Sequence, residues 1–211
     1  MELFDAARAR RMVRSFSDRA VARELVDRLL DAALRAPSAG NTQGTAWVVL
    51  EGPEETSRYW DVATTADWRA NSRRWAGLSR APLIFVSVAS PGAYVARYRE
   101  TDKVGASADI GLGSSHDAWP VPYWFGDAAF GVMTLLLGAV AEGLGACFLG
   151  NFRSEGAVLG ALGVPEGWRL FGSVVAGYPA GEDPRSASLD RVPPATGRVH
   201  YGVWSGRPKT A

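Results

Sequence analysis

The chain alternates between stretches where apolar residues recur every three to four positions and short runs that are apolar throughout. Leu25, Val26, Leu29, Leu30, Ala33 and Leu34 follow helical spacing, which predicts a helix over 22–36. Residues 2–12 read as a short helix carrying a basic end, "RARRMVR". "AWVVL" at 46–50 and "LIFVSVA" at 83–89 have strand length, and Pro53 with Glu54 and Glu55 opens a helix between them. A helix around 68–79 and a short one at "PGAYVARYRE" follow, before an irregular segment over 100–122 rich in Gly, Ser and Asp. The pattern then predicts a helix over 124–143, a strand at "ACFLG", a helix near 153–161 and a strand at 169–178. Residues 180–211 carry Gly, Pro and Arg with little periodicity and read as an extended arm. Val199, Val203 and Trp204 give that arm something to bury, such as a surface on another subunit. Few strands, well separated by helices, predict an α+β or α/β architecture in one domain spanning 1–211.

Composition narrows the functions open to such a domain. With 211 residues, 47% hydrophobic and 21% charged, the chain has ordinary globular usage. A net charge of +1 recommends neither nucleic acid nor an anionic membrane as a partner. Cys147 is the only cysteine, so an intramolecular disulfide is impossible and a reducing, cytoplasmic compartment is expected. His116 and His200 lie far apart in sequence, which argues against a zinc site. The N-terminus has no apolar signal-peptide core. The apolar run 128–141, bracketed by Asp127 and Glu142, reads as too short to cross a bilayer and is expected to be a buried helix. Eight tryptophans are the one unusual count, and most are expected in a core or an interface.

Several enzyme signatures are missing. No G-x-G-x-x-G follows a strand, and neither a Walker loop nor a G-x-S-x-G elbow occurs. "SSHD" at 114–117 cannot fold its neighbours into a facing triad. Three other stretches carry chemistry. Arg10, Arg11 and Arg14 in "RRMVR" are either a solvated basic helix end or a phosphate site, for which arginine supplies paired donors. "APSAGNTQ" is a turn closed by Gly40 or a recognition loop, since Asn41 and Gln43 each offer a donor and an acceptor suited to a heterocycle edge. "GLGACFLGN" has Gly145 and Gly150 flanking an apolar strand, which permits close approach of backbone to a flat ligand. Cys147 within it reads as a small buried hydrophobe rather than a nucleophile.

Taken in order, "RRMVRSF", "APSAGNTQ", "GDAAFGVMTLLLGAVAEGLGACFLGN" and "LGVPEGWRLFGSVVAGYPA" resemble the FMN-dependent nitroreductase family, over nearly the whole chain. The resemblance implies a three-layer α+β fold with a central mixed sheet flanked by helices, and a C-terminal arm exchanged in a homodimer. It implies FMN at the dimer interface, NADH or NADPH as electron donor, and a ping-pong reduction of a nitroaromatic, quinone or similar flat acceptor. Carried over by position, Arg10, Arg11 and Arg14, with the backbone of Met12, would hold the phosphate and ribityl end. Pro37, Ser38, Asn41 and Gln43 would approach the flavin from the other subunit. Phe148, Leu149, Gly150 and Asn151 would lie against the ring, Asp127 near its shared edge, and Arg185 would close the phosphate site. Departures are Met12 for the usual Ser, Gly44 where Pro is common, a single arginine between 184 and 189, and Gly150-Asn151 where some members carry Glu-Gly. Within 94–124, Tyr94, Arg97, Tyr98, Lys103, Trp119, Tyr123 and Trp124 are expected either to select the acceptor or to pack at the dimer interface. Two other readings stay open: a flavin-dependent dehydrogenase or oxidase of a natural-product intermediate, and a non-catalytic flavin-binding protein.

Overall fold

The computed structural model describes residues 1–103, 111–151, 154–181, 183 and 198–204. Four strands form one sheet in the order β1-β2-β4-β3: β1 (Thr45–Glu51), β2 (Leu83–Ala89), β3 (Gly145–Leu149) and β4 (Arg169–Gly177). Helices α1 (Leu3–Ala9) and α2 (Arg23–Leu34) precede the sheet, and α3 (Gly52–Ala63), α4 (Ala66–Asn71) and α5 (Trp75–Leu78) connect β1 to β2. After β2 come α6 (Pro91–Arg97) and the long α7 (Tyr123–Ala141), and α8 (Glu155–Ala161) lies between β3 and β4.

Alternation along β2 explains the layering. All seven of its residues are buried, as expected of a strand covered on both faces. Ile84, Val86 and Val88 pack with Val175 and Leu170 against Tyr59 and Trp60 of α3 and Val158 of α8. Leu83 and Phe85 point the other way, with Val174 and Ala176, onto Val26, Leu29 and Ala33 of α2 and Leu135, Leu136 and Ala139 of α7. A third cluster gathers Tyr94, Trp119, Trp124 and Leu112 beside Ala89 and Ala128. Burying each large side chain stabilises by roughly 1.5–3 kcal/mol, so these faces decide the register.

The fold is α+β with helices on both faces, but the sheet is not mixed. Every pairing between described strands is antiparallel. β2 and β3 run the same way, yet β4 inserts between them and separates the parallel pair. The parallel contact that does occur is an isolated bridge, Met12 to Ala146, on the outer edge of β3.

Helix α7 also departs from expectation. Its 19 residues reach the length of a bilayer span, longer than the apolar run alone suggested. Its apolarity has another cause: eight of its residues are buried, Val132, Leu135, Leu136 and Ala139 among them against α2 and the sheet. Gly143, at φ 74°, closes it, with Leu144 N–H reaching back to Ala139 C=O at 2.7 Å. The expected helix over 68–79 divides into α4 and α5 because Ser72 is extended.

The chain separates into two units, Met1–Gly181 and Glu182–Ala211. In the second, the His200 ring stacks on Trp204 with centroids 4.4 Å apart, and Trp204 is exposed.

Candidate functional site

The arginine stretch is fixed by the edge of the sheet. Helix α1 ends at Ala9, and the chain then extends along β3, where Val13 N–H donates to Ala146 C=O at 3.0 Å. Phe148 N–H points at Met12 Sδ, 3.4 Å away. A Cβ on Gly145 would lie 2.8 Å from the Val13 side chain, so only glycine allows this approach. On the other side the chain is pressed against Gly77 of α5, whose carbonyl accepts from Phe16 N–H. Arg14, braced by its own bond from Nη1 to Met12 C=O at 3.0 Å, therefore lines a cleft of about 500 Å³. Arg74, Thr64, Trp68 and the Leu149–Asn151 end of β3 share that lining.

The β3 end has its own support. Asn151 Nδ2 donates to the Tyr59 hydroxyl at 2.9 Å, and Ser173 Oγ donates to Asn151 Oδ1 at 3.2 Å. Tyr59 and Ser173 are both buried, and burial pushes the Tyr59 phenol up against the opposing pull of its hydrogen bonds. Asn151 thus turns from β3 at an angle set by the core, with Gly150 exposed beside it.

The Pro37–Gln43 loop presents polar groups by unusual means. Gly40, Asn41 and Gln43 all have positive φ (63°, 53° and 53°), a region that asparagine tolerates and glutamine rarely enters. Ser38 Oγ accepts from Gln43 N–H at 3.0 Å, and Gln43 Nε2 donates to Asn41 Oδ1 at 2.8 Å. This leaves Asn41 Nδ2 and Gln43 Oε1, one donor and one acceptor, without a partner among the described residues and on exposed side chains. Strain of this kind persists only where surroundings enforce it. Here Asp127 Oδ2 accepts from Ala39 N–H at 2.8 Å and Arg97 Nε donates to Gly40 C=O at 2.9 Å.

The structure therefore distributes the expected site residues unevenly. Arg14, Leu149, Gly150 and Asn151 meet around one cleft. Arg10 is half-buried and Arg11 exposed, and neither lines that cleft; Phe148 is half-buried, its ring 5.4 Å from Phe171. Asp127 is 4% exposed and engaged with the loop rather than open to a ligand. Arg185 lies outside the described residues. Among the acceptor candidates, Tyr94, Trp119 and Trp124 are buried in the aromatic cluster, packed edge to face on one another, and not offered to an acceptor within one chain. Tyr98 is half-buried with its ring edge on Trp119, 4.8 Å between centroids. Arg97 is spent on Gly40, Glu100 and Asp102, and Lys103 is half-buried. Tyr123 alone of the aromatic candidates is exposed.

Several cleft residues escape the sequence reading, Thr64, Trp68 and Arg74 among them. Arg74 follows Arg73 in a polar stretch with no periodicity to single it out, and Trp68, 39% exposed at the cleft, reads as one tryptophan among eight. Among the described residues no group of His, Cys, Asp and Glu could hold a metal ion.

Comparison with known proteins agrees with this architecture. A relative in Archaeoglobus fulgidus, provisionally named NADH dehydrogenase/NAD(P)H nitroreductase, is 27% identical over 198 residues, covering 92% of this chain and 94% of its own. A Desulfovibrio desulfuricans structure solved in complex with FMN superposes with a TM-score of 0.61 at 23% identity, covering 91% of this chain and 95% of that one. Lactococcus lactis nitroreductase CinD, solved with nicotinic acid, superposes with a TM-score of 0.67 at 19% identity, covering 90% and 97%. The sequence profile of the nitroreductase family matches residues 7–115 and 117–178, and the chain belongs to that family.

Proposed function

We propose that this protein is an FMN-dependent oxidoreductase that takes hydride from NADH or NADPH and reduces a nitroaromatic, quinone or similarly flat acceptor. The observation that carries the proposal is the cleft beside β3. Its volume of about 500 Å³ falls within the roughly 300–1,000 Å³ of ligand pockets. Its donor set suits FMN: Arg14 and Arg74 answer an anion, Thr64 and Asn151 answer hydroxyls or ring heteroatoms, and Trp68 and Leu149 offer apolar faces. FMN, when bound, supplies the two-electron redox chemistry that no side chain in this chain can perform.

The chain's own groups bind and orient. Arg14 is held at fixed reach by its bond to Met12 C=O, and Asn151 by Tyr59 and Ser173, so neither must be ordered when a ligand arrives. Backbone at Gly150 approaches without a side chain in the way. With one such cleft per ligand, donor and acceptor would enter by the same opening in turn, which would give ping-pong kinetics.

A homodimer belongs to the proposal. None of the loop residues 37–43 lines the cleft within one chain, so both can serve one ligand only if two copies meet. The outer side of α7 supports such a meeting: Tyr123, Phe130 and Met133 are exposed at helical spacing, with Leu137 and Val140 half-buried on the same stripe. An exchanged C-terminal arm completes the reading, and Arg185, the phosphate candidate on that arm, lies outside the described residues. The lone Cys147, buried and unable to form an intramolecular disulfide, suits the reducing cytoplasm.

The test is direct. Protein purified without added cofactor is heat-released, and the supernatant is examined by chromatography and mass spectrometry, then stripped protein is titrated with FMN. Retained FMN, or rebinding at one per chain, supports the proposal. Absence of both refutes it.

A further inference from the structure

The Pro37–Gln43 loop consists of neutral groups, yet charged and phenolic side chains from elsewhere hold it. Tyr94, Arg97 and Tyr98 of α6 and its C-terminal end stand at i, i+3 and i+4, on one side of that helix. All three reach the loop or its flanks. Tyr94 OH donates to Asp127 Oδ2 at 2.6 Å, and the same oxygen takes Ala39 N–H at 2.8 Å. The Tyr94 ring also sits against Gly44, where a Cβ would come within 2.6 Å of it, and Tyr98 meets Gly40 in the same manner at 2.8 Å. Both ends of the loop are thus referenced to Tyr94, one through the carboxylate and one through the ring. Arg97 closes the outside by donating to Gly40 C=O, while Glu100 and Asp102 hold its guanidinium.

We infer that Asp127 and Tyr94 are positioning residues of this loop: the buried carboxylate, oriented by the phenol, enforces the left-handed turn that aims Asn41 and Gln43. Asp127 is turned to the loop before any ligand. It is 4% exposed, and Oδ2 already accepts two hydrogen bonds. Tyr94 is fully buried, and burial, reinforced by Asp127, holds its phenol far above the ordinary range, so it stays a donor at any working pH. Without the Asp127 contact, Ala39 N–H would lose its acceptor at the first residue of the turn. The backbone of Asn41 and Gln43 would then relax toward negative φ, and the donor and acceptor they present would part. What the loop serves rests on the FMN proposal; that it is held in this way does not.

Amide hydrogen exchange separates the two. Wild type, Tyr94→Phe, Asp127→Asn and the double variant are compared as purified, with and without added FMN, alongside thermal unfolding. The clamp predicts that exchange in a peptide covering 36–45 rises about tenfold in each single variant, the equivalent of one hydrogen bond to a charged group. It predicts that exchange in β2 changes little, and that the double variant is no worse than the worse single, because the two groups act as a unit. Unchanged exchange in 36–45 in a folded Tyr94→Phe protein overturns the inference, as does a rise spread evenly over the sheet. Tyr94→Phe removes one oxygen only and decides the matter if Asp127→Asn fails to fold. Faster loop exchange with unaltered FMN affinity leaves the clamp standing and counts against the loop's part in cofactor binding.

Discussion

Replacing Gly77 with alanine probes the support of Arg14 without touching the arginine itself. Gly77 lies in α5 against the backbone of Arg14 and Ser15, and an added Cβ would fall 2.9 Å from Ser15 Cα and closer still to the Arg14 carbonyl oxygen. Neither atom belongs to a flexible side chain, so the extended segment that carries Arg14 must move by several tenths of an ångström or more. Overpacking of this kind costs about 1–3 kcal/mol, which in a domain of this size lowers the Tm by roughly 2–12 °C. The displacement should also weaken FMN. If the Arg14 contact to an anionic group is lost, affinity falls by about 10- to 150-fold, the equivalent of 1.5–3 kcal/mol. Calorimetry and fluorescence titration with FMN and with riboflavin, which lacks the phosphate, read the two effects separately. Gly160→Ala is the control, since nothing lies within 4 Å of that position in α8. It should be neutral or stabilising by up to about 1 kcal/mol. A Gly77→Ala protein with wild-type Tm and FMN affinity would refute the packing of Arg14 against α5.

Three further outcomes follow from the same geometry. Arg14→Ala and Arg74→Ala, titrated with both ligands, should each lose at least about tenfold in FMN affinity, and the one nearer the phosphate should leave riboflavin unaffected. Equal losses for both ligands in both variants would move the phosphate out of this cleft. Glu155 accepts from Arg169 at 2.6 Å and from Leu170 N–H at 3.1 Å, and the Arg169 bond outweighs burial to hold its carboxyl below the ordinary range. A lowered folded pKa means stability present above the unfolded value of about 4.3 and lost as pH falls through the folded one, so Glu155→Gln should flatten the acid side of a Tm-against-pH curve. An unchanged acid limb would remove that pair from the balance. Phe130→Glu, on the exposed stripe of α7, should turn a dimer into a monomer in sedimentation velocity; an intact dimer would place the interface elsewhere.

What the sequence made legible were features written in local periodicity. The α2 stripe of Val26, Leu29 and Ala33 and the uninterrupted strand Leu83–Ala89 are visible because burial imposes a repeat on them. The order of strands is not, because the placement of β4 between β2 and β3 rests on pairings more than 20 residues apart, and the expectation of a mixed sheet failed there. Burial of single side chains in irregular segments was equally hidden. Trp119 and Trp124 are expected either to select the acceptor or to pack at the dimer interface, yet within one chain they close on Tyr94 into a core of their own, a meeting of distant segments that no local repeat signals. Asp127 illustrates the same limit: the family resemblance puts it near the shared edge of the flavin, and only the Ala39 and Tyr94 contacts show its carboxylate engaged inside the chain. Arg74 was missed for the opposite reason, being one exposed arginine beside another until α5 turns it toward the cleft.

The central claim is that this chain passes electrons from a nicotinamide nucleotide to a flat acceptor through bound FMN. Anaerobic mixing of the FMN-loaded protein with NADH and then NADPH, followed by a nitroaromatic or a quinone, tests it in one cuvette. The account predicts that at least one nucleotide bleaches the visible flavin absorbance and that the acceptor restores it. Absorbance that neither nucleotide changes, in protein that has bound FMN at one per chain, would contradict it.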